Sequence, residues 1–238
     1  MVAHQIASTN RFEDVVVRGV RVAWTWILEK TMSQTPTNEL FCKSSLGAPR
    51  GQKRPLRPRE VWAIRARLEM VGDVRNLALL NLAIDSKLRG CDLVSLKVSE
   101  VFSAGSIRER AMVIQRKTSR PVQFEITKLT AASVISHVQN AGLSHDDYLF
   151  PSRNSASDHL STRQYHRIVD SWVSQIGLKV SEYGTHSLRR TKVAQLYRNT
   201  GNLRAVQLLL GHAKIESTIR YLGIELEDAL QISEALEI

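Results

Sequence analysis

The chain has 238 residues, 43% of them apolar, and its 33 basic and 23 acidic side chains give a net charge of +10 at pH 7. This composition excludes a collagen, a long coiled coil and a chain that is disordered throughout, and the positive charge favours a polyanionic partner. The two cysteines form no zinc-binding or disulfide pattern, no apolar run approaches the ~20 residues that span a bilayer, and the N-terminus lacks signal-peptide features. We therefore expect a cytoplasmic protein with one main domain and no membrane partner.

The first 49 residues show only weak hydrophobic periodicity and predict no domain. Because a polar stretch follows Met32, Met1 and Met32 both stay open as translation starts. The excess of positive charge lies in residues 50–120, and it begins with a proline-broken basic linker that carries Lys53, Arg54, Arg57 and Arg59. A solvated surface segment is the alternative interpretation of that linker. We expect residues 1–52 to be a poorly defined N-terminal segment and basic linker, and residues 53–238 to form the main domain.

Two helices are predicted next. Proline suits the first position of a helix, so the first helix begins near Pro58. Its buried face carries Val61, Ile64 and Leu68. Asp73 is a suitable N-cap for the second helix. The apolar residues of that helix recur at spacings of three and four, which indicates burial, and they are Leu77, Leu80, Ile84 and Leu88.

The apolar period then changes to two, which is typical of strands. The alternating pairs and triplet that indicate three strands are Leu96 with Val98, Met112 with Ile114, and Val122 with Phe124 and Ile126. A turn over residues 116–120 joins the second strand to the third. We therefore predict a mainly α protein with a small antiparallel β-sheet, that is, an α+β fold.

Helical signals return in the C-terminal half. Ser161 with Gln164 predicts a capped helix that stops at Gly177, and further helices are predicted over residues 187–199, 202–210 and 215–221. A final amphipathic stretch carries five acids and no base after Tyr221. Its apolar stripe consists of Ala229, Ile232 and Leu236. Because so short a helix is unstable alone in water, we expect it to dock on another surface.

Several polar residues of these elements form a pattern through their order along the chain. His186 and Arg189 are three residues apart, which places them on one face of a helical turn. His212 follows a Leu-Leu-Gly sequence at a helix end, and Tyr221 follows nine residues later. Upstream, Arg89 follows a buried helix and Lys117 lies on the hairpin turn. Each residue alone is unremarkable, but together they form a candidate catalytic set.

In this order the segments resemble the catalytic domain of the tyrosine recombinase (phage integrase) family. That family shows the motifs G-L-R-x-x-E-L, a hairpin lysine, H-x-L-R-H-T, L-G-H and a nucleophilic tyrosine. The resemblance extends over roughly residues 53–238. Position by position, it implies an active site of Arg89, Lys117, His186, Arg189, His212 and Tyr221. Asp92 matches the acidic residue that supports the first arginine of the family.

The resemblance implies a site-specific recombinase or integrase of a mobile element, which cleaves and rejoins DNA through a 3′-phosphotyrosyl intermediate without metal, cofactor or ATP. Tyr221 would be the nucleophile and the two arginines would hold the phosphate, because their planar forks suit phosphate oxygens. Lys117 would protonate the leaving 5′ oxygen. His186 would assist proton transfer at the tyrosine, and His212 would donate a hydrogen bond to the phosphate.

The resemblance also implies partners. These are double-stranded DNA in the nucleoid, further copies of the chain in a tetramer on paired sites, and an accessory DNA-bending protein. Besides the basic linker, the candidate DNA contacts are Arg116 and Arg120. The C-terminal stretch is expected to dock on a neighbouring protomer.

The sequence departs from the family at three motif positions. Lys87 replaces a glycine, Arg190 replaces the second histidine, and Ser187 stands where aspartate is frequent. We expect Lys87 to add charge beside Arg89, and the other two to lie outside the catalytic set, with Ser187 still able to cap its helix. The 52 residues before the domain are also few for the family's helical core-binding domain.

Two other functions remain open. Residues 202–221 also fit a helix-turn-helix, which would make the chain a non-catalytic, sequence-specific DNA-binding regulator. Such a regulator needs no nucleophile, so this alternative leaves the candidate set unexplained. A type IB topoisomerase-like enzyme would use the same chemistry.

Overall fold

The computed structural model describes residues 52–103, 105–153, 157–223 and residue 234. Most of the predicted N-terminal segment and the apolar stripe of the C-terminal stretch lie outside the described residues, so those predictions stay as they are. Within the described ranges, no helix is both long and apolar enough to cross a bilayer. The mainly helical fold with antiparallel β-structure is confirmed, although the described residues hold two two-stranded sheets where the sequence predicted a single sheet.

The elements follow one another in the predicted order with some additions. The helices of the first half are α1 (Pro58–Met70), α2 (Val74–Ser86), α3 (Gly90–Val94) and α4 (Val98–Val101). The strands are β1 (Phe102–Ser103), β2 (Ser106–Ile107), β3 (Arg110–Ile114) and β4 (Pro121–Glu125). The helices of the second half are α5 (Lys128–Ala141), α6 (Thr162–Gln175), α7 (Thr185–Thr200), α8 (Leu203–Leu210) and α9 (Ile215–Leu222).

The predicted helix starts are largely confirmed, because they depend on local capping. Pro58 is the first residue of α1, and the Asp73 carboxylate accepts the Asn76 N–H at 3.1 Å to cap α2. Ser161 likewise accepts the Gln164 N–H at 3.1 Å and caps α6. Helix α7 begins two residues before Ser187, which does not cap it as expected. Its hydroxyl instead accepts the Gly184 N–H at 3.1 Å.

The predicted first strand is wrong. Val98 begins α4, and the Glu100 carboxylate accepts the Lys97 N–H at 2.8 Å, so this segment turns into a helix. Leu96 does not belong to a strand of several residues, although its carbonyl accepts the Leu149 N–H at 2.7 Å. The two buried side chains lie on either side of a helix cap, which produces the same alternation as a strand.

The predicted hairpin exists, but one of its strands faces the other way. Strands β3 and β4 pair antiparallel, and the buried side chains of β4 are those predicted. In β3 the buried residues are Ala111 and Val113, whereas Met112 and Ile114 are 63% and 70% exposed. A shift of one residue moves every side chain to the opposite face of a strand. Four consecutive apolar residues leave that choice undecided in the sequence.

Helix α2 forms the centre of the core, where it packs against α1, α5 and α7. Helix α5 was not predicted, because its buried face is mostly polar. Thr130, Ser133 and His137 point inward there, and each is hydrogen-bonded; for example, the His137 ring is 2.8 Å from the Leu149 carbonyl. A buried polar face that is fully bonded gives no hydrophobic period.

Lys87 does not add charge beside Arg89. It ends α2 in the left-handed conformation with φ of 55°, which explains why glycine suits this position. Its buried ammonium binds both carboxylate oxygens of Glu125 at 2.7 and 2.8 Å. Lys192 binds Glu125 at 2.6 Å and Asp85 at 2.7 Å. This network joins α2, β4 and α7, which are three elements around the site described next.

Candidate active site

A short turn between α8 and α9 brings His212 and Tyr221 together. Helix α8 ends at Gly211, whose φ of +67° favours glycine, and a Cβ there would lie only 2.7 Å from the Val122 side chain. This close approach holds the turn that carries His212 against β4. Helix α9 then returns across α8, with Tyr221 near its C-terminal end.

The Tyr221 ring lies among cationic and aromatic groups. The His212 ring meets it edge-on, with 5.4 Å between the ring centroids. The guanidinium carbons of Arg189 and Arg190 lie 5.7 and 5.1 Å from its centroid. The buried Tyr221 hydroxyl has no hydrogen-bond partner within the described residues. It is therefore available to react or to bind.

Burial raises the pKa of Tyr221 to about 12, although three arginines oppose that shift. These are Arg189, Arg190 and Arg89. At neutral pH the phenol is therefore protonated. If it attacks as a nucleophile, another group must accept its proton.

The two predicted phosphate-binding arginines lie in the same cluster. Arg89 donates from Nη1 to the Gln115 side-chain oxygen. Arg189 is 4% exposed and donates from Nη2 to the Leu210 carbonyl at 3.1 Å. Its buried Nε–H has no acceptor in the described part of the chain. Each guanidinium is thus held by one bond and keeps further donors for an anion.

Gln115 was missed by the sequence analysis. It is fully buried, and its side-chain oxygen accepts from Arg89 and, at 2.8 Å, from the Thr118 hydroxyl. It therefore links the first arginine to the turn that carries Lys117. Its position directly after β3 gave no sign of burial, because a glutamine at the end of a strand is usually solvated.

Asp92 has a different contact from the one implied by the resemblance. It is buried, and its carboxylate accepts the Arg116 backbone N–H at 3.0 Å. Its backbone N–H donates to the Arg89 carbonyl at 3.0 Å, but no hydrogen bond joins the Asp92 carboxylate to the Arg89 guanidinium among the described residues. Asp92 thus anchors the hairpin turn directly.

His186 and Lys117 lie at the exposed edge of the cluster. The pKa of His186 is lowered first by desolvation and then by neighbouring cations, and Lys117 is among them. A neutral imidazole at pH 7 can accept a proton. Within residues 52–103, 105–153 and 157–223, no three His, Cys, Asp or Glu side chains are arranged to hold a metal ion.

His212 is also held neutral. Burial, followed by the charges of Arg189 and Arg89, lowers its pKa from 6.5 to about 4. Its Nδ1 lies 3.1 Å from the Thr218 hydroxyl. A neutral ring in this contact retains one N–H, which it can donate without being charged.

We expect His212 to make folding stability depend on pH. Between pH 6.5 and about 4, His212 is protonated in the unfolded chain but neutral in the folded one. Its contribution to the free energy of unfolding is therefore fully present above pH 6.5 and is lost as the pH falls through this window. The free energy of unfolding in urea should fall more steeply with decreasing pH for the wild type than for His212→Gln. His186 is unchanged in both proteins, so the difference isolates His212. Parallel curves would contradict the assigned environment.

The candidate DNA contacts differ in their availability. The Lys53 ammonium donates to the Ser181 carbonyl at 2.8 Å, and Arg54 pairs with Glu182 at 2.8 Å. The remaining candidates, which are exposed, are Arg57, Arg59, Arg116 and Arg120.

Arg190 lies at the site, although we expected it outside the catalytic set. It is 7% exposed, and its guanidinium carbon is nearer to the Tyr221 ring centre than that of Arg189. Sequence position could not show that α9 folds back over both neighbouring arginines, and the expectation that Arg190 lies outside the catalytic set stays a prediction.

Curated proteins that resemble the chain carry recombinase names. Tyrosine recombinase XerD of Rhizobium meliloti (strain 1021) is 30% identical over 164 residues, which cover 68% of this chain and 51% of that protein. Tyrosine recombinase XerC of Actinobacillus pleuropneumoniae serotype 7 (strain AP76) is 29% identical, with coverage of 68% and 52%. The chain thus spans about half the length of these relatives.

Solved structures support the fold. The crystal structure of XerA recombinase matches with a TM-score of 0.63 at 20% identity, covering 79% of this chain and 66% of that one. The Tn1549 transposon integrase in complex with transposon right end DNA matches with a TM-score of 0.64 at 14% identity, covering 80% and 68%. Residues 54–227 match the phage integrase family. The resemblance seen in the sequence is confirmed, and the chain belongs to the phage integrase family.

Proposed function

We propose that this protein is a site-specific DNA recombinase or integrase that cleaves and rejoins double-stranded DNA through a 3′-phosphotyrosyl bond at Tyr221. The convergence of Tyr221 with Arg89, Arg189 and His212 carries this proposal. A buried hydroxyl beside guanidinium groups that retain unused donors suits attack on a phosphodiester.

Each side chain has one task in the reaction. Arg89 and Arg189 bind the scissile phosphate and stabilise charge on its oxygens in the transition state. The Tyr221 oxygen attacks phosphorus while its proton passes to His186. The bond from phosphorus to the 5′ oxygen breaks, and Lys117 donates a proton to that oxygen. A 5′-hydroxyl of another strand reverses these steps, and the phosphotyrosyl bond conserves the energy for rejoining without ATP.

The finer partner assignments belong to this proposal. We expect the protein to act on DNA of the nucleoid as a tetramer on paired sites, with its C-terminal stretch docked on a neighbour and an accessory DNA-bending protein present. The names of its relatives favour a recombinase over a type IB topoisomerase-like enzyme. The clustered nucleophile favours an enzyme over a DNA-binding regulator.

Trapping a covalent complex tests this function. Duplexes that the protein selects from a randomised library are remade with nicks, so that the fragment released by cleavage diffuses away and rejoining fails. An SDS-resistant protein–DNA complex is expected in excess EDTA. If bound duplexes give no such complex, or give it only after magnesium is added, the proposed reaction is wrong.

Gln115→Met tests how the leaving group is protonated. The change keeps the side-chain length but removes the acceptor for Arg89 and Thr118. We expect cleavage of ordinary DNA to fall about tenfold or more, since a displaced general acid loses much of its effect. A substrate with sulfur at the 5′ bridging position has a leaving group that needs no acid. On this substrate the cleavage rate of Gln115→Met should return part of the way to the wild-type rate, and the rate of Lys117→Met should return nearly all of the way. Wild-type cleavage of ordinary DNA by Gln115→Met would contradict this role.

Salt dependence tests the basic linker. Arg57 and Arg59 are exposed, so changing both to Gln should flatten the slope of log affinity against log salt by up to about 2 units. Changing Lys53 and Arg54 should flatten it less, because both already bind the 181–182 segment. A larger effect from the second pair would reverse this assignment.

A further inference from the structure

The guanidinium of Arg190 has a defined set of partners besides the Tyr221 ring. Its Nη1 donates to the Lys53 carbonyl at 2.6 Å, and its Nη2 donates to the Gln52 side-chain oxygen at 3.1 Å. Both acceptors belong to the segment that enters the domain. The fork is therefore fixed under the aromatic ring by the incoming chain.

The Gln52 carboxamide makes a second contact from its other end. Its nitrogen donates to the carbonyl of Arg220, the residue directly before Tyr221. One side chain thus bridges α7 and the C-terminal turn of α9. The same carbonyl accepts the Gly223 N–H of the helix cap at 3.3 Å, so the Gln52 bond adds to the cap that stabilises the turn carrying the tyrosine.

Helix α9 needs such support. It has only eight residues, and Thr218 is its one buried residue among those described. A helix of this length is unstable without tertiary contacts. Attraction between a cation and the face of an aromatic ring adds to the bridge, and both act on the residue that must meet the phosphate.

We propose that Arg190 and Gln52 form a nucleophile clamp that positions Tyr221 and ties that position to the chain entering the domain. The clamp rests on the proposed function only in taking Tyr221 as the nucleophile. Lys53 and Arg54 are fixed to residues 181–182 by side-chain bonds, and the Arg54 backbone N–H donates to the Glu182 carbonyl at 2.9 Å. A displacement of residues 52–54 therefore breaks two sets of contacts: the bonds that hold Arg190 under the Tyr221 ring, and the bond to the Arg220 carbonyl.

Two variants separate the parts of the clamp, and a third is their control. Arg190→Met removes the charge and the fork but keeps an unbranched side chain. Gln52→Glu keeps the acceptor for Arg190 and removes the donor to Arg220. Arg198→Met, an exposed position on the same helix, is the matched control. Each protein is measured by amide hydrogen exchange without DNA, and by binding and single-turnover covalent-complex formation with the selected nicked duplexes.

Both clamp variants should exchange faster at residues 219–223, with α7 unchanged. Covalent-complex formation should slow by about 100-fold for Arg190→Met, because a displacement of about 1 Å in a reacting group can cost that much, while affinity stays within about twofold. Gln52→Glu should lie between it and the wild type, and the control should match the wild type. Unchanged exchange at 219–223, an unchanged rate, or faster exchange throughout α7 would each overturn the clamp.

These results are distinguishable from a failure of the proposed function. If the wild type forms no covalent complex, the proposed reaction is wrong, and the exchange at residues 219–223 alone decides whether the clamp exists. If the wild type reacts and the variants react equally fast, the reaction stands and the clamp is wrong.

Discussion

Tyr221→Phe is expected to abolish covalent attachment to DNA while the fold and DNA affinity are retained. The substitution removes only the hydroxyl, which is buried without a hydrogen-bond partner in the described part of the chain. No hydrogen bond is lost, so the melting temperature should stay the same or rise slightly. The ring keeps its contacts with His212 and Arg190. Denaturing gels, gel shifts and thermal melts measure the three properties.

Tyr197→Phe is the matched control, because Tyr197 packs against the same small apolar cluster as Tyr221. It should form the covalent complex at the wild-type rate. A complex that survives SDS with Tyr221→Phe would show that another residue attacks the phosphate. Loss of DNA binding by Tyr221→Phe would instead mean that the hydroxyl takes part in binding the DNA.

Arg189→Lys is expected to slow cleavage by about 10²–10³-fold with little change in affinity. Lysine keeps the positive charge, but it lacks the planar fork that holds Leu210 and presents further donors to a phosphate. Loss of one preorganised donor has effects of that size in other active sites. Single-turnover cleavage and half-site binding measure the two quantities separately.

Arg198→Lys is the control on the same helix, since Arg198 is exposed. It should cleave as the wild type does. If Arg189→Lys binds DNA as poorly as it cleaves, then Arg189 contributes to binding the ground state rather than the transition state. If it cleaves at the wild-type rate, its assignment to the phosphate is wrong.

Much of the fold could be predicted because its signals are local. Asp73 and Ser161 mark helix starts through bonds to residues three positions away. Pro58 marks one through its fixed φ and missing N–H, and Gly211 marks a helix end through its own backbone conformation. The order of the family motifs was equally visible. These features require no knowledge of what packs against them.

The remaining features depend on contacts between distant segments. The buried face of β3 is chosen by what covers it, and the sequence Ala-Met-Val-Ile offers apolar side chains on both faces. Helix α5 buries polar groups whose partners lie on other elements. Gln115, Gln52 and Arg190 gain their importance from neighbours more than 20 residues away, which no local pattern reveals.

Locating the DNA-linked residue tests the central claim most directly. Trypsin cleaves after Arg220, and residues 221–238 hold no lysine or arginine, so Tyr221 begins a tryptic peptide and is the single tyrosine of these residues. The trapped complex is digested with trypsin and nuclease, and the peptides are analysed by mass spectrometry. The account predicts a nucleotide joined through its 3′ phosphate to Tyr221 in this peptide. A nucleotide on any other peptide, with residues 221–238 unmodified, would contradict it.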